Sequence, residues 1–584
     1  MEALINQKPC VVQKVETPQG FSVSYKNHFL YSKYNPSKNI ITAVENLKLL
    51  PGTVILCFSP LLCYGLSELL QKLPENCLLF LCEADSALYD FSLKESDISN
   101  FCKNTSEKVF NCPPKNLYEL PLHLYELSKS GIYKRVIRLD MSGGVQFNSD
   151  FYNKLFSACT DSVMTFWKNR ITLTRFGRRY SRNLFENLHY LADSKPITDF
   201  FNTIEKPIIV FGAGESTQKF IDNGLLRSCT PRNDEVPFYI LCADTALQPL
   251  LKNGIKPDGV FVEEAQSVIV KAFTGTASDI RIFAGLSSIP NLVHIAGVNR
   301  LSYFYTEYAD GNFFDSLKSQ SFMPPANKPF GSVGLTAVYY ALKFRKTENI
   351  PVYVTGLDFS YSTGLTHTKG ALAHIFHLIQ SNRLVPPQNY SAAFGPGSEK
   401  FIGKNGRTII TTPTLKNYAN MFNSFFGEEK NLFDIGESGI KLSIPHIDCF
   451  VTNESACLPS LQAKLSSLPR SDENTAEQLD YKADSNRHCE TSANRHCEAE
   501  GRGNPYQNDI AAYLQNERES LEYLRNLLTG KTDLKEEKLL AEIKKIAEPR
   551  EYLYLHFPDG YSFAENQSFL NRIRTEIDFF LKIL

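Results

Sequence analysis

The segment PIIVFGAGESTQKF, residues 207–220, decides the fold. An apolar run ends at two glycines one residue apart, Gly212 and Gly214, and a helix-forming segment that contains Ser216 follows. This order is typical of a buried strand that leads through a tight turn into a helix, whose N-terminus favours an anion. Thr217 stands where the pattern GxGxxG has its third glycine, so the turn alone indicates a structural role as readily as a nucleotide site.

Strand and helix patterns alternate around this turn, from about residue 196 to about 450. Strands are predicted at PFYILCAD, DGVFVEE, RIFAGL and PVYVTGLD, helices at TQKFIDNGLL, ALQPLLKNG and VGLTAVYYALKFR, and the apolar segment LVHIAG (292–297) is placed among the strands. The alternation predicts an α/β fold with a doubly wound, mainly parallel, Rossmann-like sheet. Ligands of such sheets bind at the carboxyl ends of the strands.

Polar residues follow those predicted strand ends. Asp244 can accept hydrogen bonds from a ribose or a base edge, and Thr245 is expected to cap the next helix, although a capping role fits Asp244 equally well. Glu263 and Glu264 come after the third strand. Glu264 is positioned to meet a substrate hydroxyl or a metal, whereas Glu263 is expected to be solvated.

A second helix start and a polar loop complete the candidate site. The segment NKPFGSVGLTAVYYALKF places Gly331, Ser332 and Val333 at the start of a helix, where an anion is again favoured. The following strand ends in TGLDFSYSTGLTHTKG, and this loop holds Asp358, Ser360, Tyr361, Thr366, His367 and Lys369. Loops this rich in titratable groups usually carry function, although ordering the loop fits Asp358, and a structural role fits His367, equally well.

The N-terminal region, residues 1–195, predicts a small antiparallel element followed by a βαβ unit. The unit consists of TVILCF (53–58), GLSELLQKL (65–73) and CLLFLCEAD (77–85). Only Gly65 remains in its strand-to-helix turn, which favours a degenerate, structural Rossmann-like unit. Glu83 is the residue there that could contact a ribose.

The end of the chain differs in character. Residues 451–505 are polar and turn-rich, which predicts a flexible linker, and the pentapeptide NRHCE occurs twice in it. The two copies give the potential zinc ligands His488, Cys489, His496 and Cys497. Their spacing matches no compact zinc site, so zinc is the minority interpretation. Residues 506–584 predict a helical domain whose leucine stripe favours bundle packing over a partner surface.

Composition excludes several classes of function. The formal net charge is -1, so no global positive field favours nucleic acid. No basic segment precedes an apolar stretch at the N-terminus, and no run is long enough to span a membrane, which argues against secretion and membrane insertion. The chain has 14 cysteines, mostly in apolar runs, which indicates reduced core residues and predicts a cytoplasmic protein.

Four segments carry a resemblance to a known family. GAGES, ADTALQPLLKNGIKPDGVFVE, GSVGLTAVYYAL and VTGLDFSYSTGLTHTKG resemble the central domain of the motility-associated (Maf) flagellin-modifying glycosyltransferases, which is similar to bacterial sialyltransferases. The resemblance covers about residues 200–450, and ESGIKLSIP (437–445) and GFSVSYKNHFLYSKYNP near the N-terminus are also similar to the family. Three features depart from it: Glu215 in the glycine turn, Glu264 where the family tends to have Asp, and the linker.

The resemblance implies transfer of a nonulosonic acid, of the pseudaminic or legionaminic type, from a CMP donor to Ser or Thr of flagellin. Metal is not expected to be required, because a CMP-sugar leaves as a single phosphate that helix N-termini can stabilise, and no DxD motif is present. The residues implied for the phosphate and sugar are Gly212, Gly214, Ser216, Gly331, Ser332, Val333, Asp358, Ser360, Tyr361 and Thr366. Asp244 and Thr245 would face the nucleoside, and Glu264 would belong to the same nucleotide-sugar site. His367, with Asp358 as the second catalytic residue, would deprotonate the acceptor hydroxyl.

Two alternatives stay open. The same domain family includes an archaeal enzyme that pyrophosphorylates a hydroxymethylpterin with ATP, and its Mg²⁺ would need carboxylates such as Asp244, Glu264 and Asp358. The additional N- and C-terminal regions argue against a pterin substrate. The second alternative is a non-catalytic flagellin-binding assembly factor, because the carboxylate of Glu215 in the phosphate turn repels an anion.

Overall fold

The computed structural model describes residues 11–96, 98, 102, 108–222, 238–276, 279–361, 366–386, 394–447, 507–530 and 535–584. Packing divides the chain into two compact units: unit one is Met1–Arg178 with Asp533–Glu576, and unit two is Arg179–Thr532 with Ile577–Leu584. The sequence predicted a different division, into domains 1–195, 196–450 and 506–584. That division is about which segments fold independently, and it stays a prediction. The predicted linker 451–505 and its NRHCE repeat lie outside the described residues.

Unit one contains a small antiparallel sheet and a parallel sheet. Its elements up to the unit boundary are β1 (Gln13–Thr17), β2 (Gly20–Tyr25), β3 (His28–Phe29), α1 (Lys38–Asn46), β4 (Thr53–Phe58), α2 (Leu66–Lys72), β5 (Leu78–Cys82), α3 (Ser86–Glu95), β6 (Val109–Cys112), α4 (Leu120–Ser128), β7 (Arg135–Asp140) and α5 (Ser149–Leu191), which contributes to both units. Strands β1 to β3 pair antiparallel, and the parallel order is β6, β5, β4, β7. The predicted antiparallel element and βαβ unit are confirmed.

The turn after β4 is closed by side chains rather than open to a nucleotide. Glu83 is 1% exposed and accepts hydrogen bonds from Ser59 Oγ at 2.7 Å, Tyr152 Oη at 2.9 Å and the Asp85 N–H at 3.0 Å. Burial raises the pKa of this carboxyl group, and the three donors act against that rise. Because Glu83 is enclosed, the possibility that it contacts a ribose is wrong, and its role in this unit is structural.

Unit two is built on an eight-stranded sheet. Its elements are β8 (Ile208–Phe211), α6 (Glu215–Asp222), β9 (Tyr239–Ala243), α7 (Asp244–Lys252), β10 (Gly259–Val262), β11 (Arg281–Gly285), α8 (Leu292–Ala296), β12 (Leu301–Thr306), α9 (Asn312–Lys318), β13 (Ala326–Asn327), α10 (Val333–Phe344), β14 (Val352–Thr355), α11 (Leu372–Gln380), β15 (Glu399–Ile402), β16 (Thr408–Thr411), α12 (Pro413–Phe426), β17 (Leu432–Asp434) and α13 (Gln507–Leu528). The chain then contributes α14 (Glu536–Ala547) to unit one, and α15 (Gln567–Phe580) begins in unit one and ends in unit two.

The eight strands lie in the order β13, β12, β11, β10, β9, β8, β14, β17, and every pairing among them is parallel. This is the predicted α/β, doubly wound, Rossmann-like architecture, which is confirmed. The prediction for LVHIAG is wrong, because residues 292–296 form helix α8 and the strand is the next segment, β12. Strands β15 and β16 form a separate antiparallel hairpin.

Burial explains why the sequence pattern identified the strands. Every residue of β8, β10 and β14 is buried, as expected for strands covered by helices on both faces. Helix α10 packs its Tyr340 ring against Phe261 of β10 at a centroid distance of 5.7 Å. In the predicted helical region, Leu514, Leu521 and Leu524 are buried. Among the helices that the structure describes, none is both apolar enough and long enough to cross a membrane.

Candidate functional site

The candidate site lies at the carboxyl edge of the sheet in unit two. Strands β10, β9, β8 and β14 are adjacent and parallel, so the residues that follow them meet at one edge. The chain order reverses between β8 and β14, the position where doubly wound folds bind ligands. The glycine turn follows β8 at this position, and the loop that begins at Gly356 follows β14.

The glycine turn packs directly against the β14 loop. The Gly212 N–H donates to Thr355 O at 2.8 Å, and the Gly214 N–H donates to Gly356 O at 2.9 Å. A Cβ atom on Gly212 would lie 2.4 Å from Gly356 O, so this approach of two backbones requires glycine. The expectation that these two N–H groups are available to an anion is therefore not met, because both already donate within the protein.

Asp358 occupies the anion position at the start of α6. Its Oδ2 atom accepts from the Ser216 N–H at 2.8 Å, and a Cβ atom on Gly214 would lie 2.6 Å from that same oxygen. Asp358 is 2% exposed, and among the described residues its Oδ1 atom has no hydrogen-bond partner. Burial raises the pKa of Asp358 to about 6, although the positive charge of Lys404 and the bonds from Ser216 act in the opposite direction.

The segment after β17 closes over α6. Ser216 Oγ accepts from the Ser438 N–H at 2.9 Å, and Lys219 Nζ donates to Ser438 Oγ at 2.7 Å. Lys219 Nζ also lies 3.4 Å from Glu215 Oε1. The negative charge of Glu215, the unusual residue of this turn, is therefore partly offset within the same helix.

A buried ion pair lies beside Asp358. Lys404 Nζ donates to Asp434 Oδ2 at 2.6 Å, and the two side chains are 8% and 5% exposed. Burial alone would raise the pKa of Asp434, but bonds with His446 and Lys404 hold it below its ordinary value. Lys404 thus favours the ionised form of two carboxylates at this edge. It contacts Asp434 directly, and its positive charge acts on Asp358.

Asp244 and Thr245 start helix α7. The residue before the helix is Ala243, so the prediction that Thr245 is the capping residue is wrong. Asp244 Oδ1 accepts from the Thr245 N–H at 2.6 Å. Burial raises the pKa of Asp244 to about 7, and the negative charges of Glu264 and Glu263 add to the rise. A carboxyl group with this pKa can hold or release a proton near neutral pH.

Glu263 is anchored by hydroxyl groups, so the prediction that it is solvated is wrong. Its Oε1 accepts from Thr306 Oγ1 at 3.0 Å and its Oε2 from Thr336 Oγ1 at 2.8 Å. Asn327 donates to Thr306 Oγ1 at 2.8 Å and accepts from Tyr340 Oη at 3.0 Å, which extends the network. Burial raises the pKa of Glu263, which the two hydroxyl donors partly offset.

The sequence interpretation missed the two partners of Glu263 because they come from two separate elements, β12 and α10. Glu264 is half-buried, and its Oε1 accepts from the Gln266 N–H at 2.8 Å. Tyr180 of α5 lies within the electrostatic reach of both glutamates, although burial is the main reason that its pKa is raised. A tyrosine on a helix far upstream carries no motif that would mark it as part of this site.

The second helix start is arranged differently from the first. Ser332 precedes α10, and its side chain makes no capping hydrogen bond. Gly331 has a φ of +70° and faces Tyr418, whose Cε1 atom would lie 2.8 Å from a Cβ atom. Val333 is the first residue of the helix. The hydroxyl of Ser332 is therefore not used to satisfy its own helix.

The loop after β14 brings His367 beside the glycine turn. The Thr368 N–H donates to Ala213 O at 2.7 Å, and Thr368 Oγ1 donates to Gln218 Oε1 at 2.9 Å. His367 Nδ1 lies 3.1 Å from Thr366 Oγ1, and burial lowers the pKa of His367. The imidazole is consequently neutral at physiological pH and able to accept a proton.

The rest of the loop leads to the β15–β16 hairpin. Ser360 and Tyr361 are half-buried, and the Tyr361 N–H donates to Ile410 O at 2.7 Å. Across the described residues, no group of three or more His, Cys, Asp or Glu side chains is arranged to hold a metal ion. Asp244, Glu264 and Asp358 therefore do not converge on one metal position there.

The fold defines a Rossmann-like α/β protein, and the candidate ligand site lies at the carboxyl edge of its larger sheet. Residues 182–364 match a family of MptE-like proteins described as 6-hydroxymethylpterin diphosphokinase MptE-like. The matched segment includes the glycine turn, the acidic strand ends and Asp358. Neither the parallel sheet of unit one nor any residue after 364 is part of the match.

Two individual proteins are similar over nearly the whole chain. An uncharacterized protein of Treponema pallidum (strain Nichols) is 29% identical over 577 residues, which is 98% of this chain and 94% of that protein. The structure of the Maf glycosyltransferase from Magnetospirillum magneticum AMB-1 superposes with a TM-score of 0.52 and 12% identity, covering 99% of this chain and 91% of that one. The expectation of a Maf-like fold is thereby confirmed.

Proposed function

We propose that the protein is a cytoplasmic glycosyltransferase that moves a nonulosonic acid, of the pseudaminic or legionaminic type, from a CMP donor to Ser or Thr hydroxyls of flagellin, in support of flagellum assembly and motility. The observation that carries the proposal is the fold likeness to a glycosyltransferase over 99% of the chain. That likeness includes unit one, which lies outside the segment similar to pterin kinases. A protein acceptor can use such additional surface, whereas a small pterin has no need of it.

The donor would bind across the carboxyl edge. Asp244, Thr245 and Glu264 would face the cytidine, and Ser360, Tyr361 and Thr366 would line the sugar. The departing phosphate would be stabilised at the start of α10 by Ser332, whose hydroxyl makes no capping bond. The start of α6, with Gly212, Gly214 and Ser216, already holds the carboxylate of Asp358 and would shape the site rather than contact the phosphate.

The acceptor hydroxyl needs a base. His367 is neutral near pH 7 because burial lowers its pKa, so it can take the hydroxyl proton as the acceptor oxygen attacks the anomeric carbon. The positive charge that develops on the sugar ring resembles that of glycoside hydrolysis, and the carboxylate of the donor sugar lies next to it. In this scheme Asp358 holds the start of α6 against the loop after β14 by accepting the hydrogen bond from the Ser216 N–H.

The test begins with calorimetric titration of the full chain with CMP, in the presence of a chelator and in its absence. CMP should bind with the chelator present, and Ser332→Ala and Asp244→Asn should each weaken binding by about tenfold or more. Ser319→Ala, on an exposed serine just after α9, is the matched control and should bind as the parent does. Transfer is then measured by mass spectrometry of flagellin incubated with a CMP-linked nonulosonic acid. Failure of CMP to bind would refute the proposal.

The match of residues 182–364 gives the second candidate, a Mg-ATP-dependent hydroxymethylpterin pyrophosphokinase. It predicts that ATP binds only with Mg²⁺ and that CMP does not bind. A non-catalytic flagellin-binding factor predicts that neither nucleotide binds, or that Glu215→Ala tightens CMP binding without any gain of transfer. The pairing of Glu215 with Lys219 favours the enzyme, because the carboxylate charge is partly offset before a phosphate arrives.

A further inference from the structure

A groove of about 780 Å³ runs along the outer side of α10 in unit two. We call it the aromatic groove and define it by Phe201, Lys328, Phe330, Tyr339, Lys343 and Phe425. None of the residues predicted for the nucleotide site lines it. Its volume is in the range of pockets that enclose a small molecule.

Aromatic rings form its apolar surface. The Phe330 ring lies 5.2 Å from the Tyr339 ring and 5.2 Å from the Phe425 ring, measured between centroids. Phe201 continues this surface on the other side of Lys343. Phe330 is only 3% exposed, so the apolar surface that a ligand can reach comes mainly from the half-buried rings of Phe201, Tyr339 and Phe425. A sugar ring can pack the C–H groups of its apolar side on such rigid rings at low entropic cost.

Two lysines supply positive charge between the rings. Lys343 Nζ lies 5.3 Å from the Phe201 centroid and 5.1 Å from the Tyr339 centroid, and Lys328 Nζ lies 5.4 Å from the Phe425 centroid. Among the ion pairs of the described residues, neither amine is paired with a carboxylate. Stacking on rings leaves the outward N–H donors of each amine available to a ligand.

The other cations of the groove are already neutralised. Lys346 Nζ lies 2.6 Å from Glu205 Oε1, and Arg345 Nη2 lies 3.5 Å from Glu429 Oε2. Glu348 also lines the groove and contributes one negative charge. The charge that remains for a ligand is therefore small and positive, which fits one anionic group rather than a polyphosphate.

We propose that the aromatic groove is a second ligand site, for a six-membered ring that carries one carboxylate, namely an acidic monosaccharide. The inference rests on the proposed function, because the acidic sugar would be the one that the enzyme has already attached to its acceptor. A site that holds the product sugar would keep a partly modified acceptor on the enzyme while further hydroxyls are modified. Asn327, which lines the groove, also donates to Thr306 in the Glu263 network and so links the two sites structurally.

The test is a titration of the full chain with free N-acetylneuraminic acid as the probe, followed by calorimetry or by ligand-detected NMR. Lys343→Met and Lys328→Met keep the apolar stem and remove the charge, and each should weaken binding by about tenfold. Lys346→Met is the matched control, because it removes a lysine of the same groove that is paired with Glu205; it should bind the probe as the parent does. Unchanged thermal unfolding midpoints exclude misfolding as the cause of a loss.

Three results would overturn the inference. The first is binding of the neutral sugar N-acetylmannosamine as tightly as the acidic probe, and the second is unchanged affinity in both lysine variants. The third is loss of probe binding in Tyr361→Phe or Thr366→Val, which would assign the probe to the sugar side of the strand edge. CMP affinity is measured on the same variants, and it should be unaffected by Lys343→Met. A negative result for sugar binding in the aromatic groove can therefore be distinguished from a negative result for the proposed CMP-dependent transfer.

Discussion

The Asp358 carboxylate lies 2.8 Å from the Ser216 N–H and holds the start of α6 in the place that an external anion would take. A loop residue 142 positions away in the chain thereby satisfies the helix that follows the glycine turn. The two helix starts of the candidate site differ in whether a group of the protein already occupies the anion position. The start of α6 is occupied by a carboxylate from within the chain, whereas at the start of α10 the Ser332 hydroxyl makes no capping hydrogen bond.

Stability should fall as the pH rises through the range in which Asp244 ionises. Its folded pKa is raised to about 7 from an ordinary value of 3.8, so the folded state binds the proton more tightly than the unfolded state does. The stabilising effect is complete below pH 4 and is lost as the pH rises to 7. Asp244→Asn should flatten this part of the profile of unfolding free energy against pH, measured by urea denaturation. An unchanged slope would contradict the assigned pKa.

The glycine turn should tolerate no side chain at residue 212. Gly212→Ala should cost about 3 kcal/mol of unfolding free energy, because its Cβ would lie 2.4 Å from Gly356 O and backbone cannot move aside. Gly254→Ala is a useful control. At Gly254 the φ is +75° and nothing lies within 4 Å of the added atom, so only backbone strain of about 1–2 kcal/mol is expected. Equal costs in the two variants, measured by chemical denaturation, would show that the close contact is not the cause.

The contribution of each hydroxyl donor of Glu263 to the stability of the protein should be measurable separately. Thr336→Val removes the donor to Oε2, and the loss of a hydrogen bond to this half-buried carboxylate should cost about 1–3 kcal/mol of unfolding free energy. Transfer activity should fall with it if the carboxylate must keep its orientation. Thr172→Val, at an exposed position of α5, should change stability by less than about 0.5 kcal/mol. Thermal unfolding and CMP titration of both variants check these expectations. Unchanged stability in Thr336→Val would mean that water replaces the hydroxyl as the hydrogen-bond donor.

His367 should act on the rate rather than on donor binding. His367→Gln should lower transfer by about 10²–10⁴-fold while CMP affinity stays within twofold or so, since the base contacts the acceptor. Because burial lowers the pKa of His367 from 6.5, the acid limb of the rate profile should lie below that value. His377→Gln on α11 is the control. A variant that loses rate and CMP affinity together would assign His367 to the donor site instead.

Local sequence was sufficient for β8, β9, β10, β11 and β14 and for the sheet edge that carries the candidate site. Continuous apolar runs such as Ile208–Phe211 can only be buried strands or buried helices, and their shortness and glycine boundaries favoured strands. LVHIAG is apolar in the same way, and its prediction as a strand failed because a segment of six residues is too short to distinguish the helical period from the strand period. A local pattern does not show which side chains from distant parts of the sequence form hydrogen bonds with one another.

The two glutamates at strand ends illustrate that limit. Glu83 and Glu263 both follow a buried strand, and sequence placed one near a ligand and the other in solvent. Each is in fact fixed by hydroxyl donors from elements far away in the chain, Tyr152 in one case and Thr336 in the other. Tertiary partners of this kind decide whether a carboxylate is open to a ligand, and no single-sequence pattern records them.

The two strands of the β15–β16 hairpin differ in burial, because β16 is largely buried and β15 is exposed, and this has a consequence for local opening. All four residues of β15 are exposed, while the adjoining Lys404 is held by Asp434 and by the bond from its own N–H to Gly439 O at 3.0 Å. Segments of this kind open locally well below the free energy of global unfolding. Opening of β15 alone, with β16 in place and Asp358 still buried, would withdraw the positive charge of Lys404, which lowers the pKa of Asp358. Protonation of Asp358 should therefore favour this opening, and the protection of the β15 amides, corrected for the intrinsic pH dependence of exchange, should fall as Asp358 takes up a proton.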